Sequence, residues 1–338
     1  MYSLESIEVI DFELTSFCNA KCPQCARFDM FGNLNVRPTN LDFDLIKSMP
    51  IKKLINLRTL SLIGNFGDPL MHPEIDKILN FFDDKEITIS TNASLRHPNW
   101  WSEIAKKIPN ISITFCIDGL EDTHSLYRRN TSYKKVIENA KNFIDNGGKA
   151  EWQFIVFKHN EHQIEKAKNL SKKLGFKNIK FMYSDRFDTT NIWKVYDNHN
   201  YLYDLEKSSK QVTLREKLHT KEGEKYWKNM FHKGETKNID CVWSKNKKIY
   251  IHSDGTIFPC CWIAGIKQGR QIEKKMYEKI IKNWHDVNLY TNSFENIING
   301  PYYREYFTKS LSEQPHPTCI EHCNKTTGKF YQTDLNNV

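Results

Sequence analysis

The segment Glu13-Leu-Thr-Ser-Phe-Cys18-Asn-Ala-Lys-Cys22-Pro-Gln-Cys25 places three cysteines on a short stretch directly after the first predicted strand. Their CxxxCxxC spacing lets three thiolates hold three irons of a four-iron cluster. The fourth iron then has no protein ligand and can bind a substrate or cofactor directly, which a cluster with four cysteine ligands cannot do. The segment therefore predicts a reactive site.

A zinc knuckle, or a disulfide with one spare thiol, is the alternative interpretation of these cysteines. Zinc usually takes four ligands, with a second cysteine or histidine pair at a typical distance. Neither residue type follows Cys25 until His72. Disulfides are not maintained in a reducing compartment. The spacing thus favours an iron–sulfur cluster.

Strand and helix patterns alternate from Ile7 to about Tyr183. Apolar or β-branched runs predict strands at residues 8–14, 58–63, 86–90, 111–117, 150–157 and 178–183. Helix-period segments predict helices at residues 42–49, 73–82, 99–107, 132–146 and 161–174. Repeated strand–helix units favour a parallel sheet with right-handed crossovers. In such α/β folds the chemistry lies at the C-terminal ends of the strands.

Three of these strand ends carry motifs suited to ligand binding. The second strand is followed by Gly64-Asn-Phe-Gly67-Asp68-Pro, the third ends in Thr91-Asn92-Ala93, and the fourth in Cys116-Ile-Asp118-Gly119. Glycine lets backbone approach a ligand closely, and an anionic or carbonyl acceptor makes a charge-assisted hydrogen bond to an amine. An ordinary Gly-Asp-Pro turn is the alternative for the first motif.

Together, the cysteines and these motifs resemble the radical S-adenosylmethionine (SAM) superfamily, over about Glu8 to Cys323. The resemblance implies a partial (β/α)6 TIM-like barrel whose SAM-binding [4Fe-4S] cluster is held by Cys18, Cys22 and Cys25. It also implies that SAM binds the open iron and is reductively cleaved to a 5′-deoxyadenosyl radical. That radical would abstract a hydrogen atom from the substrate.

Further SAM contacts follow from the same resemblance. Gly67 and Asp68 stand in the place of the family's GGE element, which holds the SAM amino group, with aspartate where glutamate is usual. Because aspartate is shorter, backbone carbonyls near Gly67 are expected to carry more of that contact. Asn92 is expected at the ribose or its surroundings.

The fourth strand and the segment after it supply the remaining candidates. Cys116 stands where many relatives have a SAM-binding serine, and Asp118 is expected to orient the loop or the substrate. Arg128, in preference to Arg129, is expected to bind the SAM carboxylate, because a planar guanidinium matches two carboxylate oxygens.

A second group of cysteines lies near the C-terminus. Asp254-Gly255 between apolar residues predicts a β-hairpin, which brings Cys241 and Cys260 to one end of a ribbon. Cys319 and Cys323 have the i, i+4 spacing of one helical turn or a tight loop. Cys261 competes with Cys260, and the spacing from Gly255 favours Cys260.

This group resembles the shortened SPASM domain, called a twitch domain, which binds one auxiliary [4Fe-4S] cluster. The resemblance makes Cys241, Cys260, Cys319 and Cys323 the ligands and residues 294–300 the connecting helix. Rubredoxin-like iron or a structural zinc is the alternative use of the same four sulfurs.

Three regions are predicted along the chain: the partial barrel at 1–183, a connecting segment at 184–240, and a small cysteine-rich β-hairpin/helix domain at 241–338. The connecting segment is polar and shows no clear strand pattern, and part of 205–222 is expected to be helical. Its aromatic residues either seal the open side of the barrel, the favoured interpretation, or line a substrate pocket. They are Trp193, Tyr196, Tyr201 and Tyr203.

Composition agrees with an enzyme of ordinary size. The chain is 39% hydrophobic, and it has no run of about 18 apolar residues, so it is predicted to be neither disordered nor membrane-spanning. The N-terminus lacks a signal-peptide pattern, so a cytoplasmic location is expected. The net charge of +8 comes from dispersed lysines. Neither a membrane nor a nucleic acid is therefore an expected partner.

The predicted activity is a redox-coupled oxidation or modification, because a fully ligated auxiliary cluster can accept an electron from a substrate radical. A small molecule is the expected substrate, since no leader-binding module precedes the first strand. A peptide- or protein-modifying maturase is the alternative, and a non-enzymatic zinc-binding module is the alternative of another class. The expected cofactors are two [4Fe-4S] clusters and SAM. The expected electron donor is a reducing partner such as flavodoxin or ferredoxin.

Overall fold

A computed structural model describes residues 2–184, 186–187, 191–211, 239–268, 284–312, 319 and 322–323. The chain groups into two compact units. The first unit contains residues 2–12, Leu41–Thr59 and the described residues from 239 onward. The second contains Glu13–Asn40 and the described part of Leu60–Gln211.

Parallel strands form the frame of the second unit. Their order is β2-β3-β4-β5-β6, and β3 pairs in parallel with β4, β4 with β5, and β5 with β6. The pattern-based strand predictions are confirmed to within two residues at each end. The strands are β2 (Thr59–Leu62), β3 (Glu86–Thr91), β4 (Ile111–Cys116), β5 (Lys149–Val156) and β6 (Asn178–Tyr183).

Helices follow these strands where the apolar residues recur at helical spacing. In Tyr133–Asp145 the side chain of Ser132 caps the first turn, and Val136, Ala140 and Phe143 form the buried stripe. The helices of this unit are Ile75–Phe81, Pro98–Lys107, His124–Tyr127, Tyr133–Asp145 and Ile164–Leu174, with 3-10 turns at Pro69–Met71 and Glu161–Gln163.

Aromatic side chains fill the space between the strands and these helices. Trp101, Phe115 and Phe143 are fully buried. The Trp101 ring centroid lies 5.2 Å from that of Phe115 and 6.4 Å from that of Phe143. Because a side chain of this size excludes much apolar surface from water, the trio anchors one helix pair on β4.

The first unit contains the first strand together with the C-terminal hairpin. β1 (Val9–Phe12) pairs in parallel with β9 (Lys248–Ile251), and β9 pairs antiparallel with β10 (Ile257–Phe258). Lys248 Nζ lies 2.8 Å from the buried Asp11 Oδ1, which fixes the register of β1 on β9. Gly255 has φ of 81°, so the predicted Asp-Gly hairpin turn is confirmed.

Short helices complete the first unit, and the predicted connecting helix at 294–300 is confirmed. They are Phe43–Lys47, Val242–Lys245, Cys261–Gln268, Phe294–Asn299 and Phe307–Ser312, with 3-10 turns at Ile51–Lys53 and Trp284–Val287 and a π-helix at Tyr302–Tyr306. No helix among the described residues has the length and apolar character needed to cross a membrane.

The expectation of no strand in the connecting segment is wrong. β7 (Ile192–Asp197) and β8 (Asn200–Glu206) form an antiparallel hairpin. Asn198 and His199, with φ of 47° and 66°, make its two-residue turn. The helix expected within 205–222 begins on residues that belong to β8, and the part from 212 lies outside the described residues.

Mostly parallel strands alternating with helices give the α/β fold that the pattern predicts. The match to the open partial (β/α)6 barrel rests on the strand order and on the parallel pairing of β3 to β6. The C-terminal ends of β2, β3 and β4 carry the three predicted motifs, as this class of fold requires.

Trp101→Ala tests this core. Removing a fully buried indole leaves a cavity beside Phe115, so the free energy of unfolding of the metal-free protein should fall by about 3–5 kcal/mol. Urea denaturation measures it. Trp100→Ala is the matched control, because Trp100 is only half-buried and donates its indole N–H to Asp76 Oδ1 at 2.6 Å. An equal loss in both variants would contradict the assignment of the core.

Candidate functional site

The three N-terminal cysteines lie on residues 13–40, the cluster loop, which is closed by its own hydrogen bonds. The Ser16 N–H donates to Thr39 O at 2.9 Å, and the Thr39 N–H donates to Ser16 Oγ at 2.7 Å. A turn links Cys22 to Cys25, whose N–H donates to Cys22 O at 3.1 Å. Cys22 is buried, and Cys18 and Cys25 are half-buried. The loop thus presents its thiols on a backbone with little freedom.

Arg27, which the sequence did not single out, holds the interior of the cluster loop. Its side chain is 6% exposed. Its Nε donates to Ser16 O at 3.1 Å, and its Nη1 lies 3.4 Å from Cys18 O and 3.5 Å from Ala20 O. A guanidinium has five N–H donors, so a single side chain can satisfy several carbonyls turned inward around the cysteines.

Burial raises the pKa of two thiols of the cluster loop. Burial raises the pKa of Cys22 to about 11, although the Arg128 guanidinium acts in the opposite direction. Burial also raises the pKa of Cys18, and the charges of Asp68 and Cys22 add to this. Since the thiolate is the metal ligand, loading of iron must displace the protons from these sulfurs.

Asp68 lies at the start of the turn after β2 and joins it to the end of β3. The carboxylate is buried and accepts from Thr91 Oγ1 at 2.9 Å, from Asn92 N at 2.8 Å and from Asn92 Nδ2 at 2.7 Å. Asn92 Nδ2 also lies 3.7 Å from Cys18 Sγ and 2.9 Å from Asn19 Oδ1. Asp68 therefore positions Asn92 against the cluster loop.

Asp118 and Arg128 form a buried ion pair beside the same loop. Arg128 Nε donates to Asp118 Oδ2 at 2.6 Å, and the Ile155 N–H donates to Asp118 Oδ1 at 2.6 Å. Burial raises the pKa of Asp118, with Arg128 opposing it. Arg128 Nη1 lies 3.7 Å from Cys22 Sγ, and the same guanidinium hydrogen-bonds the buried Cys116. The pair thus holds a cation next to a cluster-loop sulfur.

Glu13 is a second residue that sequence analysis did not identify. Its buried carboxylate accepts from the N–H groups of Asn65 at 3.1 Å, Phe66 at 2.7 Å and Gly67 at 3.0 Å. A Cβ on Gly67 would lie 1.9 Å from Thr15 O, so only glycine allows the turn to approach the cluster loop this closely. The signal available in the sequence was a glutamate placed directly after the apolar residues of the first strand.

The β7–β8 hairpin covers part of the cluster loop. Asp197 accepts from Lys21 Nζ and from Arg129 Nη2, each at 2.9 Å, so Arg129 pairs with the hairpin while Arg128 pairs with Asp118. Trp193 and Tyr203 pack on the apolar cluster that contains Cys22. These contacts agree with a sealing role for the two aromatic residues.

The C-terminal cysteines come together within the first unit. Cys241, Cys260 and Cys319 are buried, and Cys323 is half-buried. A hydrogen bond with the Cys323 thiol lowers the pKa of Cys241 to about 7. Burial and the charges of Cys261, Cys319 and Cys241 raise the pKa of Cys260. The four predicted sulfurs therefore lie near one another, with Cys261 as a half-buried neighbour.

Sulfur ligands suit an iron–sulfur cluster at both places, since thiolates are soft ligands that select iron–sulfur centres, zinc or copper(I). Within the described ranges, no three His, Cys, Asp or Glu side chains are gathered to hold a single metal ion. The assignment of individual cysteines as ligands stays a prediction from the sequence.

Glu13→Ala tests the cradle formed around the turn after β2. The variant leaves the N–H groups of Asn65, Phe66 and Gly67 without their acceptor, and the last two are buried. The free energy of unfolding should therefore fall by about 2 kcal/mol or more, measured by urea denaturation of the metal-free protein. SAM affinity of the iron-loaded protein, measured by equilibrium binding, should fall as well. Glu151→Ala, at an exposed position on β5, should change neither. Unchanged SAM affinity in Glu13→Ala would contradict a link between this turn and SAM.

Similar solved structures share the fold at low sequence identity. SuiB of Streptococcus suis bound to S-adenosylmethionine is 16% identical, with 91% of this chain and 68% of SuiB covered and a TM-score of 0.57. SuiB bound to the precursor peptide SuiA is 17% identical, covering 91% and 67%, with a TM-score of 0.56. The protein anSMEcpe with bound AdoMet is 15% identical, covering 90% and 81%, with a TM-score of 0.55. No curated protein matches the chain significantly.

Two family models account for most of the described chain. The model of the radical SAM superfamily matches residues 12–183, which include the cluster loop and the ends of β2, β3 and β4. The model of an iron–sulfur cluster-binding domain, SPASM, matches residues 241–325, which include the C-terminal cysteines. The chain therefore belongs to the radical SAM superfamily and carries a C-terminal SPASM domain.

Proposed function

We propose that Cys18, Cys22 and Cys25 hold a [4Fe-4S] cluster whose fourth iron binds SAM. The observation that carries this proposal is that polar groups converge on the thiols of the cluster loop. Asn92 Nδ2 and Arg128 Nη1 each lie 3.7 Å from a cysteine sulfur of that loop. Groups of this kind suit a ligand that carries an amine, a carboxylate and a ribose.

When bound, the reduced cluster supplies the electron that cleaves SAM to a 5′-deoxyadenosyl radical. The residues of the chain bind and orient the cofactor. Asp118 holds the Arg128 guanidinium beside the loop, where it attracts the SAM carboxylate. Glu13 fixes the turn containing Gly67, whose backbone carbonyls are suited to the SAM amino group. The β7–β8 hairpin excludes water from one side of the loop.

The C-terminal cysteines are proposed to hold the auxiliary [4Fe-4S] cluster through Cys241, Cys260, Cys319 and Cys323. Their mutual electrostatic influence and burial support this set. Four protein ligands leave no open iron, so this cluster suits electron transfer. It would accept an electron from the substrate radical, which makes the overall reaction a two-electron oxidation. A flavodoxin or ferredoxin in the cytoplasm is the proposed electron donor.

A peptide is the substrate class that we now favour over a small molecule. The expectation of a small molecule rested only on the absence of a preceding module. Two of the similar structures hold peptides: SuiB with its precursor SuiA, and anSMEcpe with the Cp18Cys peptide. On the cluster loop, Met30 and Leu34 are 66% and 47% exposed, which suits contact with apolar side chains of a chain substrate.

Iron loading and SAM cleavage test the two clusters. Anaerobically reconstituted protein should contain about eight irons per chain, as two four-iron clusters require, and should convert SAM to 5′-deoxyadenosine under reductant. Cys18→Ala/Cys22→Ala/Cys25→Ala should retain about four irons and lose cleavage, because the open iron is gone. Iron analysis and chromatography of the nucleoside measure both. Cleavage that persists in this triple variant would refute the proposal.

The choice between the neighbouring cysteines is tested in the same assay. Cys260→Ala should lose the auxiliary cluster and retain about four irons, whereas Cys261→Ala should retain about eight. Loss of iron in Cys261→Ala alone would assign the ligand to Cys261. Colourless protein with zinc and no labile sulfide would favour the zinc-binding module.

The substrate class is tested by mass spectrometry of cell extract incubated with the loaded enzyme and SAM. A peptide substrate should give a peptide that has lost two hydrogen atoms, because a two-electron oxidation removes them. The triple cysteine variant is the control and should give no such peptide. A change confined to low-mass metabolites would favour the small-molecule alternative.

A further inference from the structure

His124 is a buried histidine that begins the short helix His124–Tyr127. It is 1% exposed, and its ring packs edge-to-face on Tyr133, with the centroids 5.8 Å apart. Its Nε2 lies 3.0 Å from Thr131 Oγ1, whereas its Nδ1 has no hydrogen-bond partner among the described residues. An unpaired buried nitrogen costs stability. A contribution to stability alone therefore does not explain a histidine at this position.

Only one arrangement of hydrogen atoms satisfies the contact between His124 and Thr131. Thr131 Oγ1 lies 2.6 Å from the carbonyl oxygen of Arg128. A carbonyl has no hydrogen, so the single hydroxyl hydrogen of Thr131 lies between these two oxygens. Thr131 Oγ1 can then only accept from His124, whose Nε2 must carry a hydrogen. Two successive hydrogen bonds, which we call the relay, therefore run from His124 through Thr131 to the backbone of Arg128.

The imidazole of His124 is neutral in this arrangement. Protonation of Nδ1 would place a buried N–H where the described residues offer it no acceptor. Burial, followed by the charge of Arg128, lowers the pKa of His124 to about 3, in agreement with this arrangement. A neutral ring donates its hydrogen to Thr131 without adding a positive charge. The ion pair between Arg128 and Asp118 therefore has no competing cation from this ring.

The turn that the relay holds contacts the cluster loop at two points. Within the turn, the Thr131 N–H also donates to Arg128 O, at 3.2 Å. Arg129 O accepts from the Lys21 N–H at 3.0 Å, and Lys21 lies between two cysteines of the loop. Arg128 Nη1 lies 3.7 Å from Cys22 Sγ. A change in the turn would therefore move both the guanidinium and a backbone contact of the cluster loop.

We propose that His124 is a positioning residue for SAM binding, acting through Thr131 to hold Arg128 where its guanidinium meets the SAM carboxylate. The inference rests on the proposed contact between Arg128 and SAM. Asp118 holds the guanidinium at one end of the Arg128 side chain, with an Nε to Oδ2 distance of 2.6 Å, and the relay holds the backbone at the other end. A side chain that is held at both ends loses less freedom when it binds a ligand, which favours affinity.

Equilibrium dialysis of SAM against anaerobically iron-loaded protein, without reductant, measures the affinity while SAM stays intact. His124→Leu and Thr131→Val each remove one member of the relay at similar volume, so each should weaken SAM binding about five- to tenfold. His124→Gln keeps an N–H donor and Thr131→Ser keeps the hydroxyl, so both should bind SAM about as tightly as the parent. His162→Leu, at an exposed histidine, is the matched control and should leave the affinity unchanged.

The Arg128→Ala background separates positioning from a general loss of structure. Arg128→Ala should itself weaken SAM binding, and adding Thr131→Val or His124→Leu should weaken it no further, because both act through Arg128. Additive losses, or Thr131→Val with the affinity of the parent, would overturn the inference alone. Thr131→Val also decides the test if His124→Leu fails to fold. Unchanged affinity in Arg128→Ala, or parent protein that does not bind SAM, would overturn the proposed Arg128 contact together with this inference.

Discussion

A buried carboxylate must find hydrogen-bond donors, and three buried carboxylates organise the second unit. Glu13 takes the backbone N–H groups of the turn after β2, Asp68 joins that turn to Asn92, and Asp118 holds Arg128. Each of these links ends at or beside the cluster loop. Leaving any donor or acceptor unpaired would cost about 1–3 kcal/mol, so the loops have little freedom to separate. The cysteines acquire fixed neighbours in this way, before any cofactor binds.

In the first unit, cysteine thiols rather than buried carboxylates make the contacts around the candidate site. A thiol–thiol hydrogen bond joins Cys241 to Cys323, and their neighbours Cys260 and Cys319 are buried. The hairpin that carries Cys260 is fixed to β1 by parallel pairing and by the Asp11–Lys248 ion pair. Packing of this kind suits a closed set of four thiolates, whereas the cluster loop offers three.

Local sequence signals predicted most of the fold and the sulfur chemistry. Apolar runs predicted β2 to β6, and Asp254-Gly255 predicted the β9–β10 hairpin. The spacing of the cysteines predicted both groups of thiols. Contacts between residues that are distant in the sequence were not predicted. The pairing of Val9 with Lys248 joins distant parts of the chain, and no local period encodes it.

The strands β7 and β8, which carry mostly polar and aromatic residues, were not predicted for a related reason. Their pairing depends on a turn in which Asn198 and His199 adopt positive φ, and on burial of Val195 and Leu205 against the cluster loop. The hydrogen bonds that the Glu13 carboxylate accepts also depend on its burial, which a residue type alone does not reveal. The sequence indicates still less about the substrate, because the side chains that would contact it follow no fixed spacing along the chain.

The central claim is that the cluster loop holds a four-iron cluster with one iron open to SAM. Mössbauer spectroscopy of the loop cluster, in protein with Cys241, Cys260, Cys319 and Cys323 changed to alanine, tests it most directly. The account predicts that SAM shifts the isomer shift of one iron in each four-iron cluster and leaves the other three unchanged. Four irons that do not respond to SAM would contradict the claim.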